Sequence, residues 1–198
     1  MKNRLLLLLI LVCVTAPLLA YAGPPTEAVR ANVDKVLNVL RDPALKPESA
    51  REKKKKRLEA IYEVMFDEIE LSRRTLGLNW NKLTPDQRRE FVHLYRQVLE
   101  NAYIDKILSY TNEKIVFTRE IKISENQAEV QTRIITSSRE VPISYRVIRK
   151  DGAWRVYDVI VENVSLVRNY RSQFNQILSK NTPPQLIEIL RKRVKQIK

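Results

Sequence analysis

Between Ile115 and Ile160 the apolar residues fall on every second position, whereas before Leu108 and after Val164 they recur every three or four. This switch of period constrains the fold more than any other feature. A two-residue repeat buries one face of a strand, and a three-to-four-residue repeat does the same for a helix. Helices, then strands, then helices again define an α+β architecture.

The alternating region divides into four strands. Ile115, Phe117, Ile121 and Ile123 belong to the first, Val130 and Ile134 to the second, Val141, Ile143, Tyr145 and Val147 to the third, and Trp154, Val156 and Ile160 to the fourth. Asp151-Gly152 is the signal of a two-residue primed turn. It sets Lys150 opposite Ala153, Val147 opposite Val156 and Ile143 opposite Ile160. With Thr136 facing Val141 and Ser124 facing Gln127, the remaining registers pair Ile134 with Ile143, Val130 with Val147, Ile121 with Val130 and Phe117 with Ile134. Every strand's apolar set then lies on one face, as a half-buried antiparallel meander requires. One residue breaks the pattern: Asp158 falls on that apolar face, opposite Tyr145. A carboxylate there reads as a general base in a pocket, a satisfied core group or part of the mouth of a container.

The helical segments have their own punctuation. Val29, Val33, Val36, Leu37 and Leu40 form an amphipathic stripe after Pro24-Pro25, and Pro43 closes it. Leu58, Ile61, Tyr62, Met65 and Phe66 form a second, led in by the exposed basic run Lys53 to Arg57. A shorter helix within Phe66 to Trp80 ends at Gly77, whose missing Cβ suits a left-handed cap. Thr84-Pro85-Asp86-Gln87 is a capping box with proline at the first helical position, and it opens the longest helix, to about Leu108. Val164 to Leu178 and the segment after Pro183-Pro184 supply two more.

Lys2 and Arg4, the apolar run Leu5 to Val14 and Ala20-Tyr21-Ala22 read as a signal peptide over residues 1–22, leaving 23–198 as a single domain. The lone cysteine, Cys13, lies inside that leader, so the exported chain has no thiol chemistry. Three glycines in the whole chain exclude a phosphate-binding loop, and a single histidine, His93, argues against a metal centre or a triad. The net charge of +13, less the two charges of the leader, suits an anionic partner. Export argues against nucleic acid and leaves peripheral contact with a membrane surface.

Three segments in this order carry a family resemblance. Phe66 to Trp80 (FDEIELSRRTLGLNW), Lys82 to Ile107 and Trp154 to Leu178 (WRVYDVIVENVSLVRNYRSQFNQIL) resemble the MlaC family of periplasmic phospholipid-binding proteins, also called toluene-tolerance proteins. The resemblance implies an NTF2-like cone whose four-stranded sheet and covering helices enclose an apolar pocket. It implies a non-enzymatic carrier with phospholipid as cargo and no cofactor, which keeps the outer membrane asymmetric. It also implies two partners, an inner-membrane ABC transporter with its lipid-binding MCE protein and an outer-membrane lipoprotein–porin complex. The implied pocket draws Phe66, Ile69, Leu76 and Trp80 from the helices before the long one, Tyr95, Val98, Leu99 and Tyr103 from the long helix, and Val167 and Tyr170 from the helix after the sheet. The sheet contributes Val130, Ile134, Ile143, Tyr145, Val147, Val156 and Ile160, with Asp158, Arg149 and Arg171 as polar groups at the mouth. The alternative is a small-molecule enzyme on a similar cone, using Asp158 as general base.

Overall fold

The computed structural model describes residues 23–110 and 113–196, so the leader expected over residues 1–22 lies outside the described residues. The chain runs through α1 (Pro24–Arg41), two short 3-10 turns, α2 (Arg51–Met65), α3 (Glu68–Leu76), a 3-10 segment (Gly77–Lys82) and α4 (Pro85–Leu108). It continues with β1 (Lys114–Ser124), β2 (Gln127–Ile135), β3 (Glu140–Lys150), β4 (Ala153–Val161), β5 (Val164–Ser165), α5 (Leu166–Leu178) and α6 (Pro183–Gln196). The strands form an antiparallel meander in chain order. There are five strands rather than the four expected, because a tight turn at Glu162 and Asn163, both at positive φ, adds the two-residue β5.

Local signals act as they read. Thr84 and Gln87 form the capping box of α4, each side chain bonded to the other residue's backbone N–H. Asp151 and Gly152 take φ of 50° and 80° in the primed hairpin turn. Gly77 departs from the expected cap: its φ of 55° comes with a ψ of −130°, so the chain turns into the 3-10 segment instead of a left-handed helical cap.

The sheet registers follow the expectation next to the Asp151-Gly152 hairpin and at the β1–β2 turn, where Ser124 faces Gln127, and depart from it further along. Lys150 faces Ala153 and Val147 faces Val156, but a bulge at Tyr157 then advances β4 by one residue. Asp158 therefore faces Arg146 on the other side of the sheet, while Val159 faces Tyr145 and Val161 faces Ile143. Ile160, expected on the apolar face, goes over with Asp158. Between β2 and β3 the register differs from expectation by two residues, with Val130 opposite Tyr145 and Ile134 opposite Val141, which leaves the faces unchanged. Two further irregularities in β1, at Thr118 and Ile123, turn Glu120 onto the inner face opposite Val130 and leave Ile123 half exposed to solvent. Bulges of this kind add twist to a strand and curl the sheet.

Curling creates an inner face, and α1 lies on it. Val29, Val33 and Leu37 of α1, with Met65 of α2, cover Ala128, Val130, Val147 and Val156. Glu120 fixes the start of α1: its carboxylate accepts the Thr26 backbone N–H at 2.9 Å and the Thr26 hydroxyl at 2.5 Å, capping a helix whose own N-cap is Gly23. A carboxylate at a helix N-terminus satisfies orphan donors and opposes the helix dipole.

A second, separate core joins α3, α4, α5 and α6. Phe91, Tyr95, Tyr170 and Phe174 pack there with ring centroids 5.3–5.8 Å apart, among Leu71, Leu76, Trp80, Leu94, Val98, Leu99, Val167, Leu186 and Leu190. The long helix thus buries its apolar stripe against other helices, not against the sheet. Phe66 packs against both cores, and its bridge to Val156, with Asp67 N–H bonded to the Val156 carbonyl at 2.9 Å, covers an edge of β4. Beside this junction α2 runs antiparallel to α4 through the ion pairs Arg51–Asp105 (2.7 Å), Lys55–Glu100 (2.8 Å) and Glu63–Arg96 (2.8 Å).

Candidate functional site

Burial along the inner sheet face is uneven. Toward the Asp151-Gly152 hairpin, Ala128, Val130, Val147 and Val156 are between 0 and 2% exposed under α1. Toward the other end, Ile115, Phe117, Ile134, Val141, Ile143, Tyr145, Val159 and Val161 keep part of their surface open. The registers place these eight on the same inner face, in line with the buried four. The result is an apolar surface sealed by α1 toward the hairpin and, in its unsealed half, only partly covered, with Ile115, Phe117, Tyr145 and Val159 packed against the sealed core.

Connectivity brings helix ends to the unsealed half. α4 ends at Leu108, just before β1 starts, and α5 starts at Leu166, just after β4 ends, so the half-buried Tyr103 and Leu166 stand at that end of the sheet. Tyr145 reports what kind of space this is. Its side chain is only half-buried by surface area, yet burial pushes its hydroxyl from 10.0 up to about 12, against a hydrogen bond with Thr132 that lowers it. The Tyr145 hydroxyl is thus enclosed by protein while part of the side chain stays open, at the border between the sealed part of the face and the partly covered recess beyond it. Cations frame it: Arg30 lies 4.1 Å over the Phe117 ring, and Arg41 donates to the Tyr110 hydroxyl at 2.7 Å.

Asp158 takes no part in the recess. It is 2% exposed and accepts the Ser165 hydroxyl at 2.6 Å and the Val167 backbone N–H at 3.1 Å, with Arg146 at 3.7 Å. The carboxylate joins β4 to the N-terminus of α5, helped by Ser165, which accepts the Arg168 N–H at 3.1 Å. Each of its oxygens already has a donor. This is the satisfied polar group among the three readings of the residue.

The other expected site residues separate into groups. Ile134, Ile143 and Tyr145 line the unsealed half. Val130, Val147 and Val156 lie on the same face but are sealed under α1. Leu76, Trp80, Tyr95, Val98, Leu99, Val167 and Tyr170 are packed in the helical core, with Tyr103 partly buried against it and Phe66 at the junction of the two cores. Ile69 points to solvent at 55% exposure, and Ile160 is on the opposite face. Arg149 is exposed at the hairpin end, opposite Trp154, and Arg171 is exposed on α5, donating to the Arg74 carbonyl. The expected mouth of Asp158, Arg149 and Arg171 is therefore not one cluster. Val159 and Val161 were missed because the bulge at Tyr157 turns them inward; the misplaced carboxylate at Asp158 was the one signal of it.

The side chains that line the recess are aliphatic and aromatic, with the Tyr145 hydroxyl among them. Among the described residues no group of three or more His, Cys, Asp or Glu side chains is placed to hold a metal ion. His93 is exposed, 3.2 Å from Gln97. No helix of the described residues is long and apolar enough to cross a membrane. What such a surface does is exchange water for hydrocarbon.

Residues 30–192 match the family described as MlaC protein. The chain is 26% identical over 112 residues to the intermembrane phospholipid transport system binding protein MlaC of Haemophilus influenzae, covering 54% of this chain and 52% of that protein. It is 26% identical over 101 residues to the toluene tolerance protein ttg2D of Pseudomonas putida, covering 50% and 47%. The chain thus spans about half the length of the curated relatives it matches. Among solved structures it is similar to a phospholipid-binding protein of Ralstonia solanacearum in complex with a phospholipid, with a TM-score of 0.80, 21% identity, and coverage of 88% of this chain and 99% of that one. That likeness establishes a shared fold.

Proposed function

We propose, from the premise that this chain belongs to the MlaC family, that it is a carrier of phospholipid between two membranes and not an enzyme. The observation that carries the reading is the inner sheet face, sealed under α1 toward the hairpin and, toward the other end, lined by Ile115, Phe117, Ile134, Val141, Ile143, Tyr145, Val159 and Val161, which keep part of their surface open. Two sixteen-carbon chains carry roughly 28 methylenes, so at about 0.8 kcal/mol each their exposure to water costs on the order of 20 kcal/mol. A surface groove would leave much of that cost in place. A recess between sheet and helices removes it, and it expands if the helical core and the α1-covered sheet separate about Phe66.

The cargo sits with its acyl chains against Ile134, Ile143, Tyr145, Val159 and Val161 and its headgroup toward the cations at the open end. The site of action is the periplasm, reached through the leader at residues 1–22, with 23–198 as one lipid-binding domain. The partners are an inner-membrane ABC transporter with its MCE protein and an outer-membrane lipoprotein–porin complex, and no cofactor takes part. Against the enzyme alternative stands the burial of Asp158, whose two oxygens each accept a hydrogen bond that ties β4 to α5. Solvent extraction of the purified protein followed by mass spectrometry tests the reading. Stoichiometric phospholipid is expected; a small polar metabolite, or no amphiphile even after incubation with lipid vesicles, refutes it.

A further inference from the structure

The structure gives the basic run before Leu58 a direction. Of its four lysines, Lys55 turns inward, 2.8 Å from Glu100 of α4, while Lys53 and Lys56 are exposed and make no ion pair among the described residues. Arg57 is held from one side by Asp42 at 3.1 Å. Lys53, Lys56, Arg57 and Ala60 surround a shallow depression on the outer face of α2, with Glu52 at its N-terminal rim. The depression exists because Ala60 is small and its neighbours are long. Val64, one turn further along the same stripe, is 56% exposed. From Arg41 to Arg57 the chain carries eight basic and three acidic side chains.

The second observation is where this stripe lies. The Arg51–Asp105 pair fixes the basic end of α2 beside the C-terminal end of α4, from which the chain enters β1 at the unsealed half of the sheet. Arg41 reaches the same end through Tyr110. The basic N-terminal end of α2 and the unsealed end of the sheet therefore lie at the same end of the molecule.

We infer that the outer face of α2, centred on Lys53, Lys56 and Arg57 around Ala60, is a docking surface for the anionic headgroups of a phospholipid bilayer. Long cationic side chains around a small residue let phosphates approach between them, and the lysine stems stay on the helix surface while their ammonium groups reach the headgroups. Val64 then meets the interface as a shallow apolar contact. Docked in this way, the protein presents the open end of the recess toward the membrane instead of toward bulk water. This goes beyond the cargo reading, since it concerns a surface outside the recess, and it stands or falls on a measurement that cargo content does not decide.

The test is cosedimentation of the purified mature protein with vesicles of three parts phosphatidylcholine to one part phosphatidylglycerol, and with pure phosphatidylcholine. Binding is expected to the first and not the second, and to disappear in about 1 M salt, where the screening length falls to about 3 Å. Each basic residue at an anionic surface contributes roughly fivefold, so Lys53→Gln/Lys56→Gln/Arg57→Gln should weaken binding by roughly a hundredfold. Lys122→Gln/Lys180→Gln/Lys192→Gln, on exposed positions elsewhere, should retain it. Circular dichroism and extracted lipid, measured on the same preparations, separate loss of docking from loss of fold or cargo. Three results overturn the inference: no binding to anionic vesicles, equal loss in the two triple variants, or unchanged binding in the α2 variant. Loss of transfer to an acidic partner protein without any vesicle binding likewise overturns it and gives the surface to that protein.

Discussion

Replacing Asp158 with alanine removes the acceptor of two hydrogen bonds at a position only 2% exposed. The Ser165 hydroxyl can still rotate to another acceptor, but the Val167 N–H at the start of α5 is left without a partner inside the protein. Hydrogen bonds to a charged group contribute about 1.5–3 kcal/mol each, and the two share one carboxylate, so a loss of about 3 kcal/mol is expected rather than the sum. Arg146 adds little, because it keeps Glu129 at 3.1 Å. For a chain of this size that corresponds to a fall in Tm of roughly 6–12 °C. Asp158→Asn keeps the shape, accepts the Val167 N–H through its carbonyl oxygen and turns its amide to Ser165, so it should cost about 1 kcal/mol. Urea unfolding followed by circular dichroism gives the order wild type, Asn, Ala, and extraction of the folded variants should recover lipid from all three. An alanine variant within about 0.5 kcal/mol of wild type refutes the role assigned to this carboxylate. An asparagine variant that melts normally but loses a turnover activity returns it to catalysis.

Other consequences are open to direct measurement. Glu120→Ala uncaps α1 and should lower stability by about 1–2 kcal/mol, seen as a lower urea midpoint, with earlier hydrogen exchange in the first turn of α1. Ile143→Arg places a charge on the unsealed half and should deplete co-purified lipid while the circular dichroism stays near native. Val147→Trp, under α1 and 1% exposed, should instead over-pack and destabilise by about 1–3 kcal/mol. The Tyr145 hydroxyl ionises near 12 in the folded chain against 10.0 ordinarily. The unfolded chain therefore loses this proton first, so stability falls as pH rises from 10 toward 12, and Tyr145→Phe should flatten that limb of the pH–stability curve.

Local chemistry determined much of this protein before any tertiary contact. The change of hydrophobic period set the order of helices and strands, Asp151-Gly152 set the turn between β3 and β4, and Thr84-Pro85-Asp86-Gln87 set the start of α4, because each acts over a few residues and needs no distant partner. Side-chain alternation also identified one apolar sheet face, and it survived a two-residue error between β2 and β3 because an even slip preserves sides. The bulges at Thr118, Ile123 and Tyr157 were decided elsewhere. A single inserted residue reverses the two faces beyond it, and what favours the insertion is a partner in another element: Thr26 of α1 for Glu120, and Ser165 with Val167 at the start of α5 for Asp158. The apolar stripe of α4 was legible, but its destination was not, since an amphipathic helix records that it needs a covering surface and not whether helices or a sheet will provide it. Only packing three-dimensional elements against one another left half of the inner sheet face open, and that unsealed half is where the cargo binds in the reading given above.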